Sequence, residues 1–357
     1  TFSEAVTLSG GNLVITMETG SNDTPIPAIS SLSNSTTVTG VYTVVADDAS
    51  SDLTVKSVGT TGAVKDQAGN SITSWDIGTN LAAQSGKTIV VETTRPTVSN
   101  ITSTKNNGTY GVGEEINVRV TFSEAVTLSG SGAKIQVPLE TGDSDFTVEI
   151  ESVSNSTTAD GIYTVAEGHT TNGSDLTAKS KPVLTGTLKD QAGNEINSAG
   201  LDIPGGQNLA DTKNIKIDAT YPTITDVTST TNNGTYKIGD VIDVTLTFSE
   251  TIYNTGTMRV TFETGDTDVH QDVTTFASYG SRVSTKAFNW TVPEGAVTSA
   301  LTIKTIAMQT GNITDRGYNV TNNFNLTGDN LAANHALTID GVRPTITKIE
   351  YTLILPR

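Results

Sequence analysis

Carboxylates that recur in similar sequence contexts are the residues of this chain best suited to chemistry. Asp190 opens the segment Asp-Gln-Ala-Gly-Asn, which also begins at Asp66 and returns in weakened form at Asp315. Glu124 lies in Thr-Phe-Ser-Glu-Ala-Val, and Glu250 lies in the related Thr-Phe-Ser-Glu. Carboxylate oxygens are the hard ligands that Ca²⁺ prefers, and this cation takes roughly six to eight of them. Recurring acids therefore point first to cation binding.

Catalytic chemistry has little support in the residue pattern. A nucleophilic or acid–base site needs a base and an orienting group beside the reacting atom. The three histidines, His169, His270 and His335, occupy unrelated positions, and none lies in a recognisable motif. There is no G-x-S-x-G, H-E-x-x-H or phosphate-binding sequence. We expect a protein that is not an enzyme, although carboxylate pairs alone leave a glycosidase open.

The composition narrows the classes of partner. The 38 acidic residues outnumber the 21 basic ones and give a net charge of −17. Such a surface repels phosphate backbones, so we expect no nucleic-acid partner. The chain has no cysteine, which excludes disulfides and thiolate metal sites. No run of about 18 apolar residues occurs, so no membrane span is predicted in this segment.

Four markers recur in the same order along the chain and divide it into repeats. They are Thr-Phe-Ser-Glu, the Asp-Gln-Ala-Gly-Asn segment, Asn-Leu-Ala, and a short apolar strand that runs into a proline at Pro96, Pro222 or Pro344. The markers predict one repeat over 1–95 that lacks its first strands, complete repeats over 96–221 and 222–343, and a final segment, 344–357.

Alternating residues predict β-strands within each repeat. Ile116 to Phe122 places Ile, Val, Val and Phe on one face, and Val241 to Phe248 does the same. Asn-Gly turn signals at Asn107 and Asn233 precede these strands. About seven short strands per repeat predict an all-β chain of tandem antiparallel β-sandwiches with Greek-key connections. No stretch has helical periodicity.

The order of these motifs resembles the immunoglobulin-like repeats of large bacterial and archaeal surface proteins, such as adhesins and surface-layer proteins. The resemblance covers nearly the whole chain. It is looser in the third repeat, where Thr-Phe-Ser-Glu-Ala-Val becomes Thr-Phe-Ser-Glu-Thr-Ile and Asp-Gln-Ala-Gly-Asn becomes Asp-Arg-Gly-Tyr-Asn. It implies immunoglobulin-like sandwiches and an extracellular or cell-surface location, but no single activity.

Immunoglobulin strand order places the recurring acids at the junctions between repeats. The second and sixth strands end at the side of the sandwich that receives the incoming linker, and the linkers carry Glu92 and Asp218. We therefore expect two calcium sites. One comprises Glu92, Glu124, Asp190 and Asn194, and the other Asp218, Glu250 and Asp315, with Asn319 as a weaker member. The alternative is that Asp-x-Ala-Gly-Asn is only a turn, since Gly and Asn tolerate positive φ.

These features predict a structural cell-surface or extracellular protein, namely a subunit of a surface layer, stalk or filament with junctions stiffened by calcium. Two alternatives remain open: the stalk of an adhesin whose binding module lies elsewhere, and an accessory region of a secreted carbohydrate-active enzyme. The expected partners are further copies of the chain, associated head to tail or in a lattice, and cell-surface glycans.

The final segment could serve as a strand. Pro344-Thr345-Ile346 matches Pro222-Thr223-Ile224, where a repeat begins. The segment is therefore predicted to be either the first strand of a further repeat or a strand donated to the first repeat of another copy. Head-to-tail contacts of that kind build open filaments when they do not close into rings.

Asn-x-Ser/Thr sequons are the last feature of note, and they are acceptors for glycans on exported proteins. The eleven are at Asn22, Asn34, Asn100, Asn107, Asn155, Asn172, Asn233, Asn289, Asn312, Asn319 and Asn325. A chain rich in Asn, Ser and Thr also produces sequons by chance, and composition alone favours that explanation.

Overall fold

The structure of the protein is a computed structural model that describes residues 1–84, 86–274, 282–321, 323–324 and 326–352. The chain is mostly β, with 46% of it in strands and 4% in helices, and the strands form tandem β-sandwiches. The predicted all-β class of tandem β-sandwiches is confirmed. The sequon at Asn325 and the segment from Leu353 onward lie outside the described residues.

The first repeat has four strands: β1 (Val6–Ser9), β2 (Leu13–Glu18), β3 (Thr54–Thr60) and β4 (Ala63–Asp66). A 3-10 turn follows at Leu81–Ala83. Strand β1 pairs with β4 and β2 with β3, both antiparallel. Its buried side chains form two small clusters, one around Met17 and one around Val6. The first repeat therefore buries less apolar surface than either of the others.

The second repeat contains β5 (Val98–Thr102), β6 (Gly108–Tyr110), β7 (Glu115–Leu139), β8 (Phe146–Ile150), β9 (Ser156–Thr164), β10 (Val183–Asp190) and β11 (Ile215–Ile217). A 3-10 turn lies at Ala199–Leu201, and a one-turn helix, α1, at Leu209–Thr212. One core of buried side chains runs from Val98 to Ala219.

The third repeat begins with β12 (Ile224–Thr228), β13 (Gly234–Lys237), β14 (Val241–Asn254), β15 (Thr257–Glu263), β16 (Val269–Val273) and β17 (Val283–Thr291). It continues with β18 (Val297–Thr298), β19 (Thr302–Thr310), β20 (Ile313–Thr314), β21 (Val320–Thr321), β22 (Asn323–Phe324), β23 (Leu326–Asp329), the one-turn helix α2 (Leu331–Asn334) and β24 (Leu337–Asp340). Its core runs from Ile224 to Ile339.

Strand β7 departs from the expected set of short strands because it is 25 residues long. Its first part pairs with β9 up to Thr121, and its later part pairs with β10 and β8. The pairing with β9 shifts register between Thr121 and Val126, where the strand bulges. A bulge bends a strand and increases its twist, so one strand can contribute to both layers of a sandwich.

Some pairs are parallel, which the antiparallel prediction did not include. Strands β6 and β11 run in the same direction, as do β13 with β24 and β12 with β23. Each parallel pair joins the start of a repeat to its end, so a long stretch of chain separates the partners. Parallel strands need such a connection, whereas the hairpins that dominate the sequence signal give antiparallel pairs.

The Asn-Leu-Ala marker forms a clamp on a neighbouring segment. The Asn208 side chain accepts hydrogen bonds from Leu209 N at 2.6 Å and Ala178 N at 2.9 Å, and donates one to Ala178 O at 2.9 Å. Leu209 itself is fully buried. Asn330 makes the same contacts with Ile303. The marker recurs because one side chain caps a helix turn and also holds a second piece of backbone.

The described part of the final segment joins none of the three sandwiches. Residues 344–352 form no strand, and Ile346 and Ile349 are 83% and 84% exposed. Their counterparts Ile224 and Val227 are fully buried in the third repeat. That the segment acts as a strand stays a prediction.

Asn208→Ala is expected to destabilise the second repeat by about 2 kcal/mol. The substitution removes a helix cap, and it also removes the side chain that bonds both the N–H and the C=O of Ala178. Calorimetric unfolding of the full chain measures the effect. The matched control is Asn106→Ala, an exposed asparagine of the same repeat, which should change stability by less than about 0.5 kcal/mol. Equal effects of the two substitutions would contradict the clamp.

Candidate metal centres

The Asp-Gln-Ala-Gly-Asn loop holds its first side chain in a fixed position. Asp190 ends β10, and its Oδ1 accepts hydrogen bonds from Gly193 N at 2.6 Å and Asn194 N at 2.8 Å. The Asn194 amide nitrogen donates to Asp190 Oδ2 at 2.8 Å. Gly193 has φ +98°, which favours glycine at this position. The motif therefore forms a turn, and the turn orients a carboxylate.

The same loop recurs in the other two repeats. Asp315 accepts hydrogen bonds from Asn319 N at 2.9 Å and Asn319 Nδ2 at 2.8 Å. Asp66 accepts from Asn70 N and Nδ2, both at 2.7 Å. In the third repeat Tyr318 takes the positive-φ position, with φ 63°. The hydrogen bonds therefore survive even where the glycine is lost.

A bulge places the second carboxylate. Glu124 lies inside β7, within the register shift between Thr121 and Val126, and not after a short strand as predicted. Glu250 lies at the corresponding shift in β14. Ser123 anchors the region because its Oγ accepts a hydrogen bond from Thr97 N at 3.0 Å. Bulges re-aim side chains, and this one turns a glutamate toward the incoming linker.

The linker supplies the third carboxylate. Glu92 follows Val91, which is buried in the first repeat, and Asn194 Nδ2 donates to Glu92 Oε2 at 2.6 Å and to Glu92 O at 3.2 Å. Asp218 follows β11 of the second repeat, and Asn319 Nδ2 donates to Asp218 O at 2.6 Å. Each linker acid thus belongs to one repeat and contacts the loop of the next.

The structure brings these acids together at both junctions. One oxygen from each of Glu92, Glu124 and Asp190 lies within 4.8 Å of the others, and the same holds for Asp218, Glu250 and Asp315. We call these sets junction one and junction two. The ion pairs found among the described residues involve other carboxylates. Arg282 lies close to junction two, because its guanidinium donates to the backbone O of Asp315 and its charge acts on Glu250 against the larger effect of burial.

The donor set fits a hard divalent cation. Every side chain at the two junctions offers oxygen, and the chain has no cysteine that would select a softer metal. Asn194 differs from the predicted ligand role because its amide nitrogen, rather than its oxygen, faces the carboxylates. It positions Asp190 and Glu92, and whether it also binds an ion stays a prediction.

The pKa values of the acids at junction one reflect their burial and the closeness of like charges. Burial, helped by Asp190 and Glu92, raises the pKa of Glu124 above its usual value. Burial would raise the pKa of Asp190 as well, but the hydrogen bonds from Asn194 outweigh it and hold that pKa below its usual value. The aspartate therefore stays ionised, and the glutamate carries the electrostatic penalty.

Junction two is more deeply buried. Asp315 is fully inaccessible to solvent, and burial raises its pKa despite its bonds from Asn319. Burial, followed by the charges of Asp315 and Asp218, raises the pKa of Glu250 to about 8, although Arg282 opposes this shift. Three carboxylates with two raised pKa values form a site that binds a proton unless a cation replaces it.

Junction two also has a direct lock between repeats. Val112 N of the second repeat donates to Asn319 Oδ1 at 2.9 Å. A Cβ at Gly111 would lie 2.2 Å from Gly317 O, and a Cβ at Gly317 would lie 2.1 Å from Asp218 O. Both positions therefore require glycine. Asn319 was predicted only as a weaker member of this set. Its bridging contact depends on a neighbouring repeat, which no local motif reveals.

The first repeat carries only part of the constellation. Glu4 and Asp66 line a common shallow depression, with Asn70 bonded to Asp66. Among the residues that the structure describes, no third carboxylate joins this pair to make a cluster. Asp66 is thus a natural comparison for Asp190 and Asp315.

The histidines have structural environments. His169 Nδ1 lies 2.8 Å from the Tyr163 hydroxyl and accepts a hydrogen bond from Ala166 N at 3.3 Å. His270 is exposed on β16, and His335 follows α2. An open cleft of about 500 Å³ beside junction two is lined by hydroxyl and charged side chains, with no histidine among its described lining residues.

No family model and no curated protein matches the chain. Among solved structures, the crystal structure of the FN1–FN3 domains of chicken CNTN1 is similar, with 8% sequence identity over 93% of each chain and a TM-score of 0.22. A TM-score this low supports no conclusion about function. Among the described residues, no helix has the length and apolarity needed to cross a membrane.

Acidification is expected to destabilise the second repeat through His169. Burial lowers the pKa of His169, so the folded chain binds its proton less readily than the unfolded chain. Its contribution to stability is full above the ordinary histidine value of about 6.5 and falls as pH drops below it. Calorimetry at pH 7.5 and 5.5 should show a smaller loss for His169→Asn than for the unmodified chain. His270→Asn is the control, and it should retain the full loss.

Proposed function

We propose that the chain is a structural segment of a cell-surface or extracellular protein, a row of β-sandwiches whose junctions are stiffened by Ca²⁺. The observation that carries this proposal is the convergence, at both junctions, of a linker acid with two acids of the following repeat. Tandem β-sandwiches of this kind serve mainly as spacers and assembly units, since function on such folds lies in added sites.

The mechanical argument follows from where each ligand is anchored. Glu92 continues from Val91 in the first repeat, whereas Glu124 and Asp190 belong to the second. Asp218 continues from β11, whereas Glu250 and Asp315 belong to the third repeat. A cation bound to all three acids restrains the linker on the next repeat. Restraint at successive junctions turns a flexible string of domains into a rod.

The electrostatic argument favours a divalent cation. Three carboxylates within 4.8 Å of one another repel strongly when all are ionised. The folded chain offers hydrogen bonds to the aspartates but no described ion pair to either set. Ca²⁺ removes the repulsion and suits oxygen ligands in loops. When bound, it supplies charge neutralisation and cross-linking, with no redox or Lewis-acid step assigned to it.

We propose that the chain is not an enzyme, because its histidines serve packing or lie exposed and its recurring acids serve every junction alike. A structural rod of this kind also suits the stalk of an adhesin or an accessory region of a secreted enzyme. Electron microscopy of the purified chain favours the surface-layer or filament role if ordered assemblies form. Binding to a glycan array by this segment would favour the adhesin role.

Ca²⁺ is expected to raise the melting temperature of the full chain, and EDTA to lower it. At free Ca²⁺ roughly 100-fold above the dissociation constant, each site should contribute about 2.7 kcal/mol. Small-angle scattering should show a shorter maximum dimension, with greater flexibility, after chelation. Unchanged melting and unchanged dimensions would contradict the proposal.

Asp190→Asn is expected to abolish Ca²⁺ binding at junction one only, because it removes one of the three carboxylates there. Asp315→Asn is expected to do the same at junction two only. Each substitution should reduce the number of Ca²⁺ ions bound per chain by one. The matched control is Asp66→Asn, which alters the same loop where no cluster of three described carboxylates forms. It should leave both the stoichiometry and the Ca²⁺-dependent rise in melting temperature unchanged. Loss of a site in this control would disprove the assignment.

Calcium binding at junction two is expected to release a proton. The pKa of Glu250 is about 8, so its carboxyl is largely protonated at pH 7 and must lose its proton to bind the cation. The calcium-free chain should therefore lose stability as pH rises from about 4.3, the ordinary glutamate value, through about 8. Affinity for Ca²⁺ should rise over the upper part of that range.

Calorimetric titration at pH 7 in two buffers of different ionisation enthalpy measures the released proton. Glu250→Gln removes the titrating group, so proton release and its pH dependence should both disappear at this junction. Glu4→Gln is the control, because Glu4 belongs to no described cluster. Binding without proton release in the unmodified chain would show that Glu250 is not a ligand.

A further inference from the structure

Most of the eleven sequons are unsuited to modification in the folded chain. The acceptor needs an exposed amide nitrogen, and the hydroxyl two residues later must be accessible. Asn319 is 4% exposed, and its amide nitrogen donates to Asp218 and Asp315. The hydroxyl residue that serves Asn312 is Thr314, which is 7% exposed.

In further sequons, the asparagine or the hydroxyl residue is engaged in a hydrogen bond or a strand. The hydroxyl residue for Asn22 is Thr24, which donates to Asp48 Oδ1 at 2.7 Å. The side-chain oxygens of Asn107 and Asn233 accept hydrogen bonds from backbone N–H groups. Asn100 and Asn289 lie within the paired strands β5 and β17. Asn325 lies outside the described residues.

Three sequons remain, and all share one geometry. Asn34, Asn155 and Asn172 are exposed and have positive φ values of 43°, 44° and 50°. Only their backbone N–H groups appear in hydrogen bonds, with Thr7, Thr127 and Thr170, so their side-chain amides are free in the described structure. Each asparagine therefore projects from a turn.

Turn geometry explains the asparagine but not the residue two positions later. Asparagine tolerates positive φ, and glycine would serve as well. The turn at Asn155 is closed by the intervening Ser156, whose Oγ donates to Thr158 O at 2.9 Å and accepts from Thr158 N at 3.1 Å. Thr36 and Thr157, the hydroxyl residues of the first two sequons, are exposed and make no described side-chain hydrogen bond.

We infer that Asn34, Asn155 and Asn172 are N-glycosylation sites. The co-reactant is a glycan linked through phosphate or pyrophosphate to a membrane lipid. The side-chain amide nitrogen of asparagine forms a bond to the anomeric carbon, the bond between that carbon and the phosphate oxygen breaks, and the amide loses one proton. The lipid phosphate leaves with the bonding electrons, and no oxidant or reductant is needed.

The first two acceptors occupy the same turn in successive repeats, in matching Ser-Asn-Ser-Thr segments. A glycan on each would cover equivalent positions along the proposed rod. This inference rests on the proposed extracellular location, since transfer from a lipid carrier requires export. It does not rest on calcium at the junctions.

The test is peptide mapping by mass spectrometry of the full chain purified from the cells that make it. Glycan mass is expected on the peptides that contain Asn34, Asn155 and Asn172, and on none that contain Asn312 or Asn319. Thr36→Val, Thr157→Val and Ser174→Ala, made in the same cells, should each remove one glycan while leaving the asparagine and its turn intact.

Thr291→Val is the control, because it destroys the sequon of Asn289 in a paired strand and should leave the mass of attached glycan unchanged. Unmodified peptides at the three sites, in protein recovered from outside the cells, would overturn this inference and leave the proposed function standing. Protein found only inside the cells would overturn both. Glycans at Asn289 or Asn312 in place of the three sites would also overturn it.

Discussion

The organisation of this protein depends on one interaction, the side-chain amide of an asparagine that contacts two repeats at once. Asn194 donates to Asp190 in its own loop and to Glu92 in the incoming linker, and Asn319 does the same with Asp315 and the backbone of Asp218. A hydrogen bond to a charged group contributes about 1.5–3 kcal/mol. The amide thus ties the incoming linker to the loop of the next repeat.

The same amide leaves an electrostatic problem unsolved. It stabilises one carboxylate, but it brings the linker acid toward two others, and one amide cannot neutralise three charges. The glutamates show the consequence, since burial and neighbouring acids raise the pKa values of both Glu124 and Glu250. A fold that retains such a set twice loses stability at each junction as these groups ionise, unless a proton or a cation binds. Structural need alone would be met by fewer acids, so the excess of negative charge is the strongest argument for a ligand.

The fold and the location of the two clusters could be predicted from the sequence because both depend on repetition. Matching markers define the repeats, and the alternation in Ile116 to Phe122 defines a strand, so the end at which Asp190 lies follows from strand order. Two features could not be predicted this way. The bulge that carries Glu124 within β7 depends on pairing with two different strands, and the amide orientation of Asn194 depends on the linker of another repeat.

The two junctions, although built from the same parts, differ in the protein contacts that accompany the acids. At junction two, Val112 donates to Asn319, and Gly111 and Gly317 allow the repeats to approach closely, so protein contacts alone restrain the linker. At junction one, Asn194 donates to both the carboxylate and the backbone O of Glu92, and the Arg95 guanidinium donates to Glu195 O at 2.5 Å. In the proposed rod, both junctions therefore keep protein contacts without a cation, and junction two adds the close approach of the two backbones.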